Sequence, residues 1–201
     1  MEKKIFFIDF DGTLMRDDKT ISDKNREALR NAVDQGHYIA LATGRAVSSG
    51  RKIAKELGLT RPGCYLVACN GGTIYDFSAD CILSNKRLPI EYAEYLLREC
   101  DRSEGYIFRP ILIHKCLRQN EVKNLNFYTK KTGMPCRITG NLNSMLYEEP
   151  PKMLLIDLEH KERLEAFQQA HAEWRKESAA AFSLAKNIWS IARLERIKDT
   201  V

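Results

Sequence analysis

A chain of 201 residues, 44% hydrophobic and 29% charged, has ordinary globular composition and is long enough to bury a core as one large domain or a domain with an insert. Its 32 basic and 27 acidic residues leave a net charge of +5, a mixed surface with no block of like charge that reads as a nucleic-acid arm. No apolar run approaches the roughly 20 residues of a membrane span, no secretory signal precedes the first strand, and the six cysteines form no CxxC pair, so the reading is a soluble cytoplasmic protein with reduced thiols.

Residues 4–9 read as a strand whose continuous apolar run, Ile5 to Ile8, ends at Asp9, the pattern of a strand covered on both faces, as in a parallel sheet. A turn-rich stretch, Arg16 to Thr20, leads to Ser22, which N-caps a helix with Asp23 in its first turn. Ala28, Leu29, Ala32 and Val33 form the apolar stripe of that helix, and Gly36 ends it. "HYIALAT" (37–43) is a second strand, 46–57 a second helix closed by Gly58, and "CYLVAC" (64–69) a third strand running into Asn70-Gly71-Gly72. A β-α-β-α-β order in about 70 residues is half of a doubly wound, Rossmann-like parallel sheet.

After Tyr75 the pattern changes. "ADCILSNKRL" reads as a strand leaving the sheet, and Pro89 opens a helix to about Cys100 with Tyr92, Leu96 and Tyr95 inward. Residues 105–150 mix short apolar runs with turn signals. "PPKMLLIDL" (150–158) is a strand, followed by a helix with Leu164, Phe167, His171 and Trp174 on one stripe, and the tail holds one or two short strands. The expected organisation is a core over 1–81, an inserted α+β domain over 82–187, and a return to the core over 188–201.

The stretch "FFIDFDGTLM" (6–15) carries the first chemistry. Ligand sites of α/β proteins lie at the carboxyl ends of parallel strands. Asp9 sits at such an end, and residues i and i+2 of a strand point the same way, so Asp9 and Asp11 can face one pocket, with Gly12 permitting the sharp exit. Two carboxylates there suit divided labour, one attacking as nucleophile and the other moving a proton. An anionic substrate would then require a divalent cation, for which magnesium fits. Read alone, the pair also serves as a turn cap. The second strand ends in Thr43-Gly44-Arg45, a hydroxyl, a bare amide and a guanidinium suited to an oxyanion. The third ends in Asn70-Gly71-Gly72. Three successive strand ends marked this way are hard to explain as three independent turns.

In that order, "FFIDFDGTL", "LATGR" and "CNGG" resemble the haloacid-dehalogenase (HAD) superfamily, and more narrowly its Cof-type (subfamily IIB) phosphatases, which carry a large α/β cap after the third strand. The resemblance covers essentially the whole chain. It implies a magnesium-dependent hydrolase of small phosphorylated metabolites, such as sugar phosphates or phosphorylated cofactors. Asp9 is then the nucleophile that becomes an aspartyl-phosphate, and Asp11 the general acid and later base. The Asp9 carboxylate and the Asp11 backbone carbonyl are the metal ligands. Phe10, Thr43, Gly44, Arg45, Asn70 and Gly71 form the phosphate-binding set. "ARLERIKDTV" resembles the family stretch around a lysine that steadies the phosphoryl charge, which makes Lys198 the candidate, although Asp199 stands where the family has glycine. The cap is expected to decide specificity by closing over the site and excluding water.

The family continues past that lysine to strands bearing GDxxND-like acids, and no GD or ND pair occurs here. The expectation is a truncated core lacking its last strands, weak magnesium binding, poor or absent turnover, and a first strand left as a sheet edge that invites self-association. A rival reading is a catalytically inactive remnant that at most binds phosphorylated ligands; another is a phosphomutase. Arg45 either touches substrate phosphate or pairs within the core. His171 reads as packed, and "KKTG" (130–133) as a solvated turn. Tyr92, Tyr95, Tyr106 and Tyr128 either line a substrate face or belong to a core. Partners reduce to a small phosphorylated metabolite and a second copy, with no nucleic acid and no membrane.

Overall fold

Apolar runs with polar strand ends become parallel strands here, and the amphipathic stretches between them become the crossovers. The computed structural model describes residues 2–102, 107–112, 115–118, 129–130, 132, 136–138, 146, 148–157, 160–177, 180–185 and 188–193. The chain divides into two units, Met1–Asn85 and Lys86–Val201.

In the first unit, β1 (Ile5–Asp9), β2 (Tyr38–Ala42) and β3 (Cys64–Ala68) are parallel neighbours. The connecting helices are α1 (Asp23–Asp34) and α2 (Val47–Leu57). Ser22 caps α1 by accepting the Asn25 N–H at 3.2 Å, with Asp23 favourably placed in the first turn. Gly58 closes α2 in the left-handed conformation, its N–H donating to helix carbonyls. Helix α2 buries Val47, Ile53, Ala54 and Leu57, and each fully buried Leu or Ile contributes about 1.5–3 kcal/mol. Gly50 lets the helix lie close to β3, since a Cβ there would stand 2.5 Å from Cδ2 of Leu66.

The sheet then turns antiparallel. β4 (Thr73–Asp76) pairs with β3, and β5 (Cys81–Asn85) pairs with β4, giving the order β1-β2-β3-β4-β5. The sheet is thus mixed rather than wholly parallel. Cys81–Asn85, read from sequence as leaving the sheet, instead forms its far edge, and the division between units falls at Asn85/Lys86. At the other edge β1 has β2 as its single neighbour among the described residues. Its Ile5, Phe6 and Phe7 are 50%, 39% and 67% exposed, so the strand is open rather than covered on both faces.

The second unit has its own sheet, ordered β10-β11-β9-β6-β7-β8: β6 (Ile107–Leu112), β7 (Lys115–Arg118), β8 (Cys136–Ile138), β9 (Lys152–Ile156), β10 (Ala180–Ala185) and β11 (Ile188–Arg193). The pairings are antiparallel except β7 with β8. Residues 188–193 therefore belong to this sheet, where the sequence had put them on the way back to the core. Helix α3 (Ile90–Arg102) brings Ala93, Leu96, Leu97 and Cys100 onto Met153 and Leu155 of β9. The expected helix after β9 breaks at His171 into α4 (Lys161–Ala170) and α5 (Ala172–Glu177). Leu164 and Phe167 join the same core. Tyr92, Tyr95 and Trp174 pack against it, with Tyr95 and Trp174 stacked at 4.9 Å. Those rings pack a core; Tyr106 and Tyr128 lie outside the described residues. No helix among the described residues is long and apolar enough to cross a membrane.

Candidate active site

Asp9 is the last residue of β1, and the chain leaves it in a tight loop. The Asp9 carbonyl accepts the Leu14 N–H (3.1 Å), the Phe10 carbonyl accepts the Met15 N–H (2.8 Å), and the Gly12 N–H donates to the Met15 carbonyl (3.1 Å). Gly12 has φ +86°, where a side chain is strained. Phe10 is fully buried and anchors the loop from below. Its N–H donates to the Ala42 carbonyl at 3.2 Å. Both backbone polar groups of Phe10 are thus hydrogen-bonded within the sheet and its loop, and the residue anchors the turn that carries Asp11.

The two carboxylates stand in different environments. Asp9 is exposed. Asp11 is gripped: Arg45 Nε donates to its Oδ2 at 3.0 Å and Nη2 to its Oδ1 at 2.7 Å, while Lys19 Nζ reaches Oδ1 at 3.3 Å. Burial pushes the Asp11 carboxyl up, but the hydrogen bonds and charges of Arg45 and Lys19 outweigh it and hold the group below its usual range. Arg45 is buried; its Nη1 lies 3.5 Å from the Ser49 hydroxyl, one helical turn along α2. Of the two readings left open for Arg45, the pair within the protein is the one present.

Lys19 was not singled out from sequence. It lies in the turn Asp17 to Thr20 with φ +67°. Asp18 holds that turn by accepting the Thr20 N–H at 2.9 Å and the Thr20 hydroxyl at 2.6 Å. Only the turn signal was legible there; the direction of Lys19 depends on its left-handed backbone.

The second and third strand ends are knitted together. The Thr43 N–H donates to the Val67 carbonyl (2.9 Å), the Cys69 N–H to the Arg45 carbonyl (2.9 Å), and the Asn70 N–H to the Thr43 carbonyl (3.3 Å). The Thr43 hydroxyl accepts the Arg45 N–H at 3.1 Å, which leaves its own O–H to donate. Asn70 and Gly71 take φ +59° and +91° in the turn from β3 to β4. The Nδ2 of Asn70 is buried without a hydrogen-bond partner, a donor that a bound oxyanion would satisfy.

The donor set for a cation is small. Among the described residues no three His, Cys, Asp or Glu side chains gather in a metal-binding group. The exposed Asp9 carboxylate and the Asp11 backbone carbonyl fit part of a magnesium shell, with water needed for the rest. The two side-chain oxygens of Asp11 are committed to Arg45 and Lys19. Lys198 lies outside the described residues. His171 packs, its ring stacked on Phe167 at 4.0 Å, and the His37 Nδ1 accepts the Lys4 N–H at 3.2 Å.

Comparison with known proteins gives a consistent lineage. The profile of haloacid dehalogenase-like hydrolases matches residues 6–199. The chain is 42% identical over 73 residues to the 5-amino-6-(5-phospho-D-ribitylamino)uracil phosphatase YcsE of Bacillus subtilis, covering 36% of this chain and 28% of that protein. It is 36% identical over 97 residues to YwtE, a phosphatase of the same name from the same organism, covering 47% of this chain and 32% of the relative. The matched segments thus span about a third of these curated relatives. A haloacid dehalogenase-like hydrolase from Bacteroides thetaiotaomicron has the same fold, with TM-score 0.84 at 22% identity over 96% of this chain and 71% of that one. From its second strand residue almost to its end, the chain belongs to the haloacid dehalogenase-like hydrolase family.

Proposed function

We propose that the chain acts as a phosphomonoester hydrolase on small phosphorylated metabolites, with Asp9 as nucleophile. The observation that carries this reading is that three successive parallel strands end together in an exposed Asp9, the Thr43 hydroxyl and, on the turn hydrogen-bonded to Thr43, a buried Asn70 Nδ2 without a hydrogen-bond partner. A carboxylate able to attack and donors suited to an oxyanion thus lie at one end of the same sheet. The phosphorylated ribityl compound in the names of YcsE and YwtE supports a sugar- or alditol-phosphate class.

An Asp9 oxygen attacks phosphorus as the bond to the leaving alcohol breaks, and Asp11 delivers the proton that the alcohol needs. Water then attacks the aspartyl-phosphate, its proton goes to Asp11, and phosphate leaves with Asp9 restored. Thr43, Gly44, Asn70 and Gly71 donate to the phosphoryl oxygens. Magnesium, when bound by the Asp9 carboxylate and the Asp11 carbonyl, supplies charge screening between nucleophile and phosphoryl group. In the state described here Arg45 keeps Asp11 a carboxylate. Its turn as an acid therefore requires the phosphoryl group to draw Arg45 away. Lys198 would steady the phosphoryl charge. A second reading, ligand binding without turnover, is favoured by the lack of a third acid beside Asp9 and Asp11 among the described residues.

Phosphate release from p-nitrophenyl phosphate separates them, measured with magnesium, with EDTA, and with Asp9→Asn. Magnesium-dependent release lost in Asp9→Asn is expected. Release no faster than that of Asp9→Asn overturns the hydrolase reading and leaves binding alone.

A further inference from the structure

The first unit has its candidate active site at the carboxyl ends of β1, β2 and β3. A second cavity, of about 470 Å³, lies beside α2 at the opposite end of β3. Thr60, just ahead of β3, lines it. Phe77 lines it too, and its N–H donates to the carbonyl of Cys64, the first residue of β3, at 3.3 Å. No residue of β1 takes part. The volume falls in the range of small-molecule sites, roughly 300–1,000 Å³.

The wall is basic and the floor aromatic. Arg51, Lys52 and Lys55 come from α2. Tyr75 and Phe77 are 4% and 6% exposed and pack edge to face at 5.7 Å. Asp80 also lines the cavity, but its carboxylate is engaged: Arg51 Nη2 lies 2.7 Å from Oδ1, and the Tyr75 hydroxyl donates to the same oxygen. These contacts hold Asp80 at φ +52°, a conformation uncommon outside glycine. The Arg51 guanidinium also lies over the Tyr75 ring, 5.2 Å from its centre, a cation–π contact that fixes it in the wall. Lys52 and Lys55 form no ion pair with any described residue. Lys55 suits the carbonyl end of α2, but Lys52 stands in mid-helix, where the helix dipole gives it no role.

We propose that this cavity is a second ligand site, for a small phosphorylated anion held by Lys52 and Lys55 together with Arg51 and the Thr60 hydroxyl. Among the described residues the lining sets three cations against one engaged carboxylate, which leaves it net positive. Lys52 and Lys55 are three residues apart on one helix and so are surface neighbours; one ligand can reach both. A phosphate monoester gathers up to two charges on three oxygens, where a carboxylate carries one, so it can satisfy two ammonium groups at once. Lysine meets phosphate as a point charge with rotatable donors. The buried rings beneath lower the local dielectric and strengthen that pairing.

The test reads binding, so it stands apart from the proposed hydrolysis. Pyrophosphate is titrated into nitrogen-15-labelled 201-residue chain in EDTA, with citrate as a polycarboxylate comparison. Saturable amide shifts are expected at Thr60 and Phe77, with a midpoint separate from any at Gly44 and Gly71 of the candidate active site. Replacing both lysines, Lys52→Ala with Lys55→Ala, should weaken the Thr60 and Phe77 response about tenfold or more and leave that of Gly71 in place. Lys24→Ala, on α1, should alter neither. All three lysines are exposed, and far-UV circular dichroism checks that the fold is kept. Shifts confined to Gly44 and Gly71, no saturation at Thr60 and Phe77, or an equal loss in Lys24→Ala and the double variant would each overturn the proposal. Citrate binding as tightly as pyrophosphate would overturn the phosphorylated class of ligand.

Discussion

Arg45 and Asp11 form a two-pronged ion pair, Nε to Oδ2 at 3.0 Å and Nη2 to Oδ1 at 2.7 Å, across 34 residues of sequence. The arginine is nearly buried, its side chain 10% exposed, and the aspartate is 40% exposed. A guanidinium fork fits a carboxylate as it fits a phosphoryl group. Asp11 thus occupies the guanidinium fork of Arg45.

The pair has a pH signature. Burial alone would raise the Asp11 carboxyl, but Arg45 and Lys19 lower it on balance. A depressed folded-state value stabilises the protein above the unfolded-state value of about 3.9, and that contribution is lost as pH falls through the folded value. Because Asp11 is substantially exposed, solvent screening holds the stabilisation to about 1 kcal/mol or less. Carbon-13 NMR titration should place the Asp11 carboxyl below the ordinary range in the parent protein and higher in Arg45→Met. An unchanged midpoint in the variant would remove Arg45 as the cause.

Thr43→Val should destabilise the protein by about 1–3 kcal/mol, because it strips the acceptor from the Arg45 N–H in a buried setting. Thr43→Ser keeps the oxygen and should recover most of that loss. Urea denaturation midpoints decide it. Equal losses for the serine and valine variants would point to packing by the methyl group instead.

Much of this arrangement was legible before any coordinates, and the parts that were not share a cause. The apolar run into Asp9, Ser22 as a cap and Gly58 as a stop are local signals, and each marks a real boundary. Thr73–Asp76 was missed because Asn70-Gly71-Gly72 reads as an ending, while the chain uses it as the turn from β3 into an antiparallel β4. With β4 unseen, Cys81–Asn85 had no partner and seemed to leave the sheet. The places of Lys19 and Phe10 were hidden for a different reason. The reach of Lys19 to Asp11 depends on a backbone φ of +67°, and the burial of Phe10 depends on its loop folding back over it. Neither can be read from the residue's type alone. His171 keeps the phase of its stripe by stacking on Phe167 although the helix breaks there, so spacing alone could not reveal the break.

Gly50→Ala tests how tightly α2 lies on the sheet. A Cβ at Gly50 would stand 2.5 Å from Cδ2 and 2.7 Å from Cδ1 of Leu66, whose side chain is fully buried. Alanine is the better helix former by about 1 kcal/mol, but forcing Leu66 off its position costs about 1–3 kcal/mol. The net expectation is destabilisation. Pairing it with Leu66→Ala should return part of the loss, since the new methyl then fills the space that leucine leaves. A double mutant that is merely the sum of the two singles would show that the helix and Leu66 do not compete for that space.

The thiols of the first unit should divide by burial. Cys64 begins β3 and is fully buried, and burial pushes its thiol up against a partial pull from Arg61. Cys81 begins β5 at the sheet's far edge and is exposed. The thiolate is the reactive form, so Cys64 is protected twice, by access and by protonation. Iodoacetamide at neutral pH should label Cys81 in minutes and leave Cys64 at least about tenfold slower, followed peptide by peptide in a mass spectrometer. Denaturant should bring the two rates together. Fast labelling of Cys64 in the native protein would mean that β3 opens readily, and then the turn carrying Asn70 would not be a fixed part of the site.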